Sequence, residues 1–350
     1  MNHNSTTTGF RLWLPVLLTL FCVARAGIAQ QYRPPRCEIV PLANHEVSLR
    51  IDGQEKLRWH YGDQYPRPFF YPFNGPSGET LTRMGHPGAQ NHDHHRSVWF
   101  AHHKVDGINF WGDGAGTKIR QTHWYRYRDG DEEAVMATHL VWIDGDGAER
   151  MQQDVVVALM PIDNDASAGE HAVEFQLTFR PGEGRQKVTL EQTNFGVLAV
   201  RVAASLSAYF GGGRLTNDAG VQGEPKLHEQ RSRWMDYSGP IAVAGPQERR
   251  VVEEGISYFD HPDNPGYPTH WHVRQDGWMG AAPGMKTAIE VTDDSPLVLR
   301  YLLYAHAGPA DLNHAEQVQE AFMKRPGFRI RKPGNDEPHR QYEVERVREW

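Results

Sequence analysis

Apolar side chains recur at every second position through most of this chain, a period that suits a half-buried strand and not a helix. The clearest run spans 117–127, Thr-Lys-Ile-Arg-Gln-Thr-His-Trp-Tyr-Arg-Tyr. Runs at 134–143, 155–160 and 172–179 repeat it, and further strands are predicted at 197–203, 251–259, 287–291 and 297–306. Asp129-Gly130, Asp144-Gly145 and Asp146-Gly147 are turn dipeptides between them. One helix is predicted, 312–324, capped by Asp311 or Asn313, with Lys324 and Arg325 in its last turn and Pro326-Gly327 as its stop. Strands without alternating helices pack as antiparallel sheets face to face. Gly211-Gly212-Gly213 lacks the strand-turn-helix setting of a nucleotide loop. The expected fold is therefore all-β, a large antiparallel β-sandwich with one short C-terminal helix. It is expected to fill 31–325 as a single domain, with 326–350 a charged, loosely held tail.

Ahead of the strands, a polar start ending in Arg11 leads into the apolar run Leu12 to Ala24, and Ala24-Arg25-Ala26 or Gly27-Ile28-Ala29 offers a small-residue exit. That order is the pattern of a cleaved signal peptide, expected over 1–30, and it predicts an exported protein, periplasmic or secreted. The run is too short, and too interrupted by Pro15, to make a spanning helix. No later segment is apolar enough to span, so no stable membrane span is expected after cleavage. Losing Arg11 and Arg25 with the leader moves the formal charge from −7 to −9. That balance argues against nucleic acid or an anionic membrane as partner. Only Cys37 remains beyond the leader, so neither an internal disulfide nor a cysteine zinc site is expected.

Chemistry concentrates in His86-Pro-Gly-Ala-Gln-Asn-His92-Asp-His94-His95-Arg96-Ser-Val-Trp-Phe-Ala-His102-His103, which carries six imidazoles. Imidazole is the commonest metal ligand and titrates near neutrality. His92 and His94 share a side if the chain is extended. His95 joins them only if the backbone turns, which Pro87, Gly88 and Asn91 favour. From Arg96 the text reads as a strand, with Arg96, Val98, Phe100 and His102 on one face and Ser97, Trp99 and Ala101 on the other. The pattern is not the helix-borne pair of a zinc protease. A second constellation, Tyr258-Phe-Asp260-His261-Pro-Asp-Asn264-Pro with His270-Trp271-His272-Val-Arg274, places titratable side chains on a rigid loop. The expected acid/base residues are His94, His95, Asp260, His261 and His272, with the two loops lining one concave surface. Trp111 and Trp271 are expected as exposed stacking platforms for a sugar ring, and Arg96 and Arg274 as carboxylate holders. If a divalent metal such as zinc is bound, His92, His94 and His102 are the expected ligands.

Several of these stretches together resemble a bacterial family of unknown function labelled PmoA-like. They are Pro68-Phe-Phe-Tyr-Pro72, Gly75-Pro-Ser-Gly78, His92-x-His-His-Arg96, Gly107-Ile-Asn-Phe-Trp111, Thr193-Asn-Phe-Gly196 with Arg201, Trp234-Met-Asp-Tyr-Ser-Gly239, and Asp260 to Arg274. In that family the run reads Asp-His-Pro-His-His-Arg, where this chain has Asn91 and Asp93. The resemblance implies a large β-sandwich, analogous to the sugar-mutarotase supersandwich, and not the membrane methane monooxygenase subunit that the label suggests. The readings that remain are an exported enzyme acting on a carbohydrate, a non-catalytic carbohydrate-binding sandwich, and a periplasmic metal-binding protein.

Overall fold

Two eight-stranded antiparallel sheets carry the structure, a computed structural model that describes residues 1–3, 33–86, 88–162, 169–245, 248–332 and 342–347. The first sheet runs β1 (Cys37–Leu42), β2 (Glu46–Ile51), β3 (Gln54–His60), β4 (Phe69–Phe73), β5 (Val98–Phe100), β11 (Leu198–Arg201), β16 (Trp278–Ala281) and β15 (Trp271–Arg274). The second runs β12 (Arg214–Asn217), β13 (Trp234–Val243), β14 (Arg250–Asp260), β18 (Leu297–Ala307), β9 (His171–Pro181), β8 (Glu149–Pro161), β7 (Ala134–Ile143) and β6 (Lys118–Arg128). Two small pairs complete it, β10 (Lys187–Leu190) with β17 (Ile289–Thr292), and β19 (Gly327–Arg331) with β20 (Glu343–Val347). Among the described residues, helix is confined to single turns, the short α1 (Glu224–Leu227), and α2 (Leu312–Lys324). The all-β sandwich is as the alternation predicts, and α2 has the predicted ends. Asp311 is its cap, with a carboxylate oxygen accepting from the amides of Asn313 (2.9 Å) and His314 (3.1 Å).

The period-two pattern sorts side chains onto three surfaces. Between the sheets, Trp59, Phe70, Val98, Phe100, Leu198 and Met279 from the first meet Val155, Val157, Phe175, Leu177, Tyr258 and Tyr301 from the second. Each such side chain fully removed from water contributes about 1.5–3 kcal/mol. The outward face of the second sheet (Val135, Val156, Ala158, Phe259, Leu302) is also apolar, because α2 covers it with Ala315, Val318 and Phe322 and the β19–β20 hairpin covers it with Phe328 and Val344. Double coverage explains why 155–160, expected as an alternating run, is apolar at every position. The outward face of the first sheet carries a third, smaller cluster built on Phe69, Trp99, Ala199 and Trp278.

One expectation changes here, and another falls on residues that the structure does not describe. Residues after Pro326 are not loosely held where they are described. The β19–β20 hairpin is pinned by Arg346, which donates to Glu133 (2.7 Å) and Glu174 (2.9 Å). The apolar leader run lies outside the described residues. Among the described residues, no helix is long and apolar enough to cross a membrane.

Candidate functional site: a histidine and tryptophan face

Cross-strand pairing builds the floor of the site. His60 lies opposite Phe69, Phe69 opposite Trp99, Trp99 opposite Ala199, Ala199 opposite Gly280, and Gly280 opposite His272. These six residues form one row across the outward face of the first sheet, aromatic or imidazole at both ends and small in the middle. The neighbouring row on the same face brings Arg201, Trp278 and Arg274 side by side. Trp278 and the loop-borne Trp111 and Phe195 fill the space above the small residues. Trp111 lies 5.4 Å from Trp278 and 4.5 Å from Phe195, ring centre to ring centre. Asn109 sets Trp111 by accepting with Oδ1 from its amide (2.8 Å), an Asx turn.

The loop at 86–95 lays its histidines over these indoles. A single 3₁₀ turn at Gln90–His92, continued by the His95 amide donating to the His92 carbonyl (3.0 Å), makes the turn that brings His95 beside His92 and His94. The rings of His94 and His95 are 4.4 Å apart, and His92 lies 5.0 Å from His95. His95 stacks on Trp99 (5.3 Å) and meets Trp278 (5.0 Å). On the far side of Trp278, at 4.2 Å, lies His272. One indole therefore joins the two histidine loops at His95 and His272. His272 Nδ1 donates to the carbonyl of Asn194 (2.9 Å), which leaves Nε2 as the acceptor of the neutral ring.

These imidazoles are kept neutral. Burial, aided by the guanidiniums of Arg67 and Arg96, lowers His94 to about 4. Burial, then His228, lowers His272 to about 4. Burial pushes His95 well down, with His94 and Arg201 adding to it, and His92 falls for the same first reason. Two ion clusters flank the patch. Asp113 accepts from Arg67 (2.9 Å) and from both terminal nitrogens of Arg96. Asp276 accepts from Arg201 on both oxygens (2.9 and 3.2 Å) and lies 3.2 Å from His86 Nε2. Burial alone would raise both aspartates, but the arginine hydrogen bonds hold them below the usual carboxylate range.

The face also holds a concentration of unmet polar demand. Among the described residues, fifteen buried side-chain nitrogens and oxygens have no partner in the protein. Eight of them are here, on Arg67, Arg83, His86, His95, Trp99, Arg201, His228 and Trp278. Buried polar atoms are ordinarily paired, so such a cluster marks a place that meets water or a ligand. At its edge a cleft of about 420 Å³ opens between His86, Tyr209, Phe210, Glu224, Arg274, Gln275 and Asp276. Tyr209 and Phe210 are 67% and 47% exposed, ring faces that the sequence reading passed over.

The expected residues divide accordingly. His92, His94, His95, Arg96, Trp111 and His272 come together, and Arg274 reaches the cleft but is engaged by Glu224 (3.3 Å). Asp260 and His261 do not join them. Asp260 is fully buried at the end of β14, accepting from Asn264 (2.7 Å) and the Thr269 amide (3.0 Å), and burial raises it to about 7. His261 packs on Phe322 of α2 and lies 3.0 Å from the Arg300 guanidinium through Nε2. Both staple a loop to the second sheet. Trp271 is not a platform: it is fully buried between the sheets, with Nε1 donating to the Ser232 carbonyl (2.8 Å). Trp111 is in the site but only 6% exposed, so it backs the site and does not project from it. The expected zinc trio does not assemble, because His102 turns Nδ1 to the Lys104 amide (3.1 Å). Among the described residues no three His, Cys, Asp or Glu side chains form a group able to hold a metal ion. Arg96 is on the Trp99 side, not opposite it. Ser97 takes a left-handed φ of 54°, which breaks the alternation and swings Arg96 over Tyr65 (5.4 Å).

Sequence reasoning missed Arg67, Arg83, Asp113, His228 and Asp276, all isolated in the text and gathered only by long-range pairing. Arg201 had one signal, its place in the motif set. No curated protein matches the chain, and nothing links the family it does match to PmoA-like proteins. Residues 46–320 match the model of a family of unknown function, DUF6807, and the chain belongs to that family.

Proposed function

We propose that the outward face of the first sheet is the active site of an exported enzyme that performs acid–base chemistry on a carbohydrate, the class that takes in hydrolysis, elimination and epimerisation. The observation that carries this reading is a patch of imidazoles held neutral beside aromatic rings and unpaired polar donors. A neutral imidazole can accept a proton near pH 7, most readily when its pKa lies close to that pH, and titratable groups clustered with shifted pKa values beside a cleft are a mark of functional sites. Tyr209 and Phe210 give a sugar ring an exposed face to stack on. His86 and His92, 5.7 Å apart, continue from that cleft into the histidine patch. His94 and His92 are the proton-transfer residues in this reading, and His272 is a further base whose tautomer is set by Asn194. Trp99, Trp111 and Trp278 exclude water behind them.

A panel of oligosaccharides and sugar acids, assayed with the purified protein, tests this. Turnover that falls at least a hundredfold in both His94→Gln and His92→Gln, with melting temperature kept, supports it. Turnover untouched by both substitutions would sink it. Binding without turnover in the unaltered protein would make the face a carbohydrate-binding module.

A further inference from the structure

Charge around the histidine patch does not balance. Arg67 and Arg96 share the single carboxylate of Asp113 (2.9 and 3.2 Å). Arg201 takes both oxygens of Asp276, and Arg83 donates to the backbone carbonyl of the same residue (2.8 Å). Each flank thus holds two guanidiniums for one carboxylate. Arg67 and Arg201 are almost wholly buried, 2% and 0% exposed. The other acids nearby do not correct this. Glu224 is engaged by Arg274 and the Gln275 amide, and Asp93 is exposed. The histidines between the flanks are neutral and supply no negative charge. Arg67, Arg83 and Arg201 each leave Nε buried and without a protein partner.

We infer that the ligand of this face is an acidic sugar, whose carboxylate is the anion these two arginine pairs lack. This rests on the site being a carbohydrate site, as proposed above. Guanidinium is the group that binds carboxylate through paired N–H donors, and a buried cation without a counter-charge favours a ligand that brings one. Burial lowers Arg67 and Arg83 to about 10, and in each case a second arginine adds to the fall. The carboxylate has a second consequence. Placed between the flanks, it raises the neighbouring imidazoles toward neutrality, so the acidic substrate itself would bring His92 and His94 closer to the pH at which a proton can be both taken and returned.

The full chain is titrated with D-glucuronate and D-galacturonate, with neutral D-glucose and D-galactose, and with sulfate at matched ionic strength. Binding is read by thermal shift and by the ring-nitrogen resonances of the histidines. The expected result is at least tenfold tighter binding of a uronate than of its neutral counterpart, with a rise in the pKa of His92 or His94. Arg83→Gln should weaken uronate binding at least tenfold, and Arg83→Lys should recover part of it. Should Arg83→Gln fail to fold, the uronate-to-neutral ratio and the histidine shift in the unaltered protein still decide. Sulfate binding as tightly as either uronate overturns the acidic-sugar assignment. Neutral sugars that bind as tightly as uronates and move the same resonances also overturn it, while leaving the carbohydrate site in place. If no sugar moves any histidine resonance, both fall.

Discussion

On the outward face of the second sheet, Glu174 is fully buried yet holds Arg300 (2.7 Å), Arg325 (3.1 Å) and Arg346 (2.9 Å) at once. Asp236 there accepts from Ser257 (2.7 Å) and pairs with His306 (2.8 Å). A helix and a hairpin lie over this face with an apolar seam of their own. The outward face of the first sheet is closed by loops, and its arginines outnumber its acids. Nε1 of Trp99 and Trp278 and Nδ1 of His86, His95 and His228 also go unpaired within the chain. Both faces exclude water from aromatic side chains. Each face leaves some buried polar atoms unpaired, Arg300 Nε, Trp234 Nε1 and Gln319 Oε1 on the second, but the larger group of eight gathers on the first. The difference separates a face that holds the fold from the one proposed above as the site.

The comparison breaks most visibly at Glu174. Glu174→Ala takes a shared carboxylate from three guanidiniums, of which Arg325 and Arg346 keep Glu133, and should cost about 3 kcal/mol in urea denaturation, the lower end of the penalty for removing one partner of a buried ion cluster. A loss under about 1 kcal/mol would mean that the second face is not the structural one.

Acid should act next, and in opposite directions on the two faces. His94 and His272 have folded values near 4 against 6.5 unfolded, so the unfolded chain takes up more protons between those limits. Their contribution is complete above pH 6.5 and is lost as the pH falls toward 4, at up to about 1.4 kcal/mol per pH unit for each. His306 is raised: although it is buried, the Asp236 carboxylate outweighs desolvation. Its contribution is complete below 6.5 and fades as pH rises through its folded value. Urea midpoints at pH 7, 6 and 5 should fall in the unaltered protein, and fall less in His272→Gln. A flat profile would contradict the neutral-histidine reading.

Smaller effects sharpen the contrast. Asp311→Ala removes the cap of α2 and should cost about 1 kcal/mol without touching ligand binding. His95→Leu removes a buried imidazole whose Nδ1 has no protein partner. It should leave stability unchanged or improve it by up to about 1 kcal/mol, since deleting an unsatisfied polar group removes a desolvation cost. Ligand binding should drop in the same variant. A clear destabilisation would show that His95 serves packing first.

How much of this was legible in the sequence follows from how local each feature is. α2 and β7 can be read to the residue, because cap, period and stop lie within one segment. The cluster at 92–95 is legible as composition, and its turn follows from nearby residues. The row from His60 to His272 is not, since five strand pairings across more than half the chain assemble it. Asp260 and His261 look like the first cluster in text, but Asn264 and Arg300 absorb them, and nothing local distinguishes a stapled turn from an open one. Ser97 reverses the facing of Arg96 through one backbone angle, which a hydrophobicity pattern cannot carry.

The middle of that row has a bearing on divergence within the family. At Gly280 an added methyl would lie 3.3 Å from the Leu198 carbonyl oxygen and 3.5 Å from Trp278 Nε1. Growth there would crowd the Leu198 carbonyl first, and a side chain larger than a methyl would also meet the indole that lies between His95 and His272. The depth of the depression is thus fixed by backbone spacing, a property of the whole sheet that single substitutions can spoil but hardly adjust. The walls are different, because 86–95, 107–116 and 191–196 are loops outside the ladder and can lengthen or change side chains without disturbing a strand pair. New ligand preferences can arise on this scaffold through the walls alone, over a floor that stays as it is.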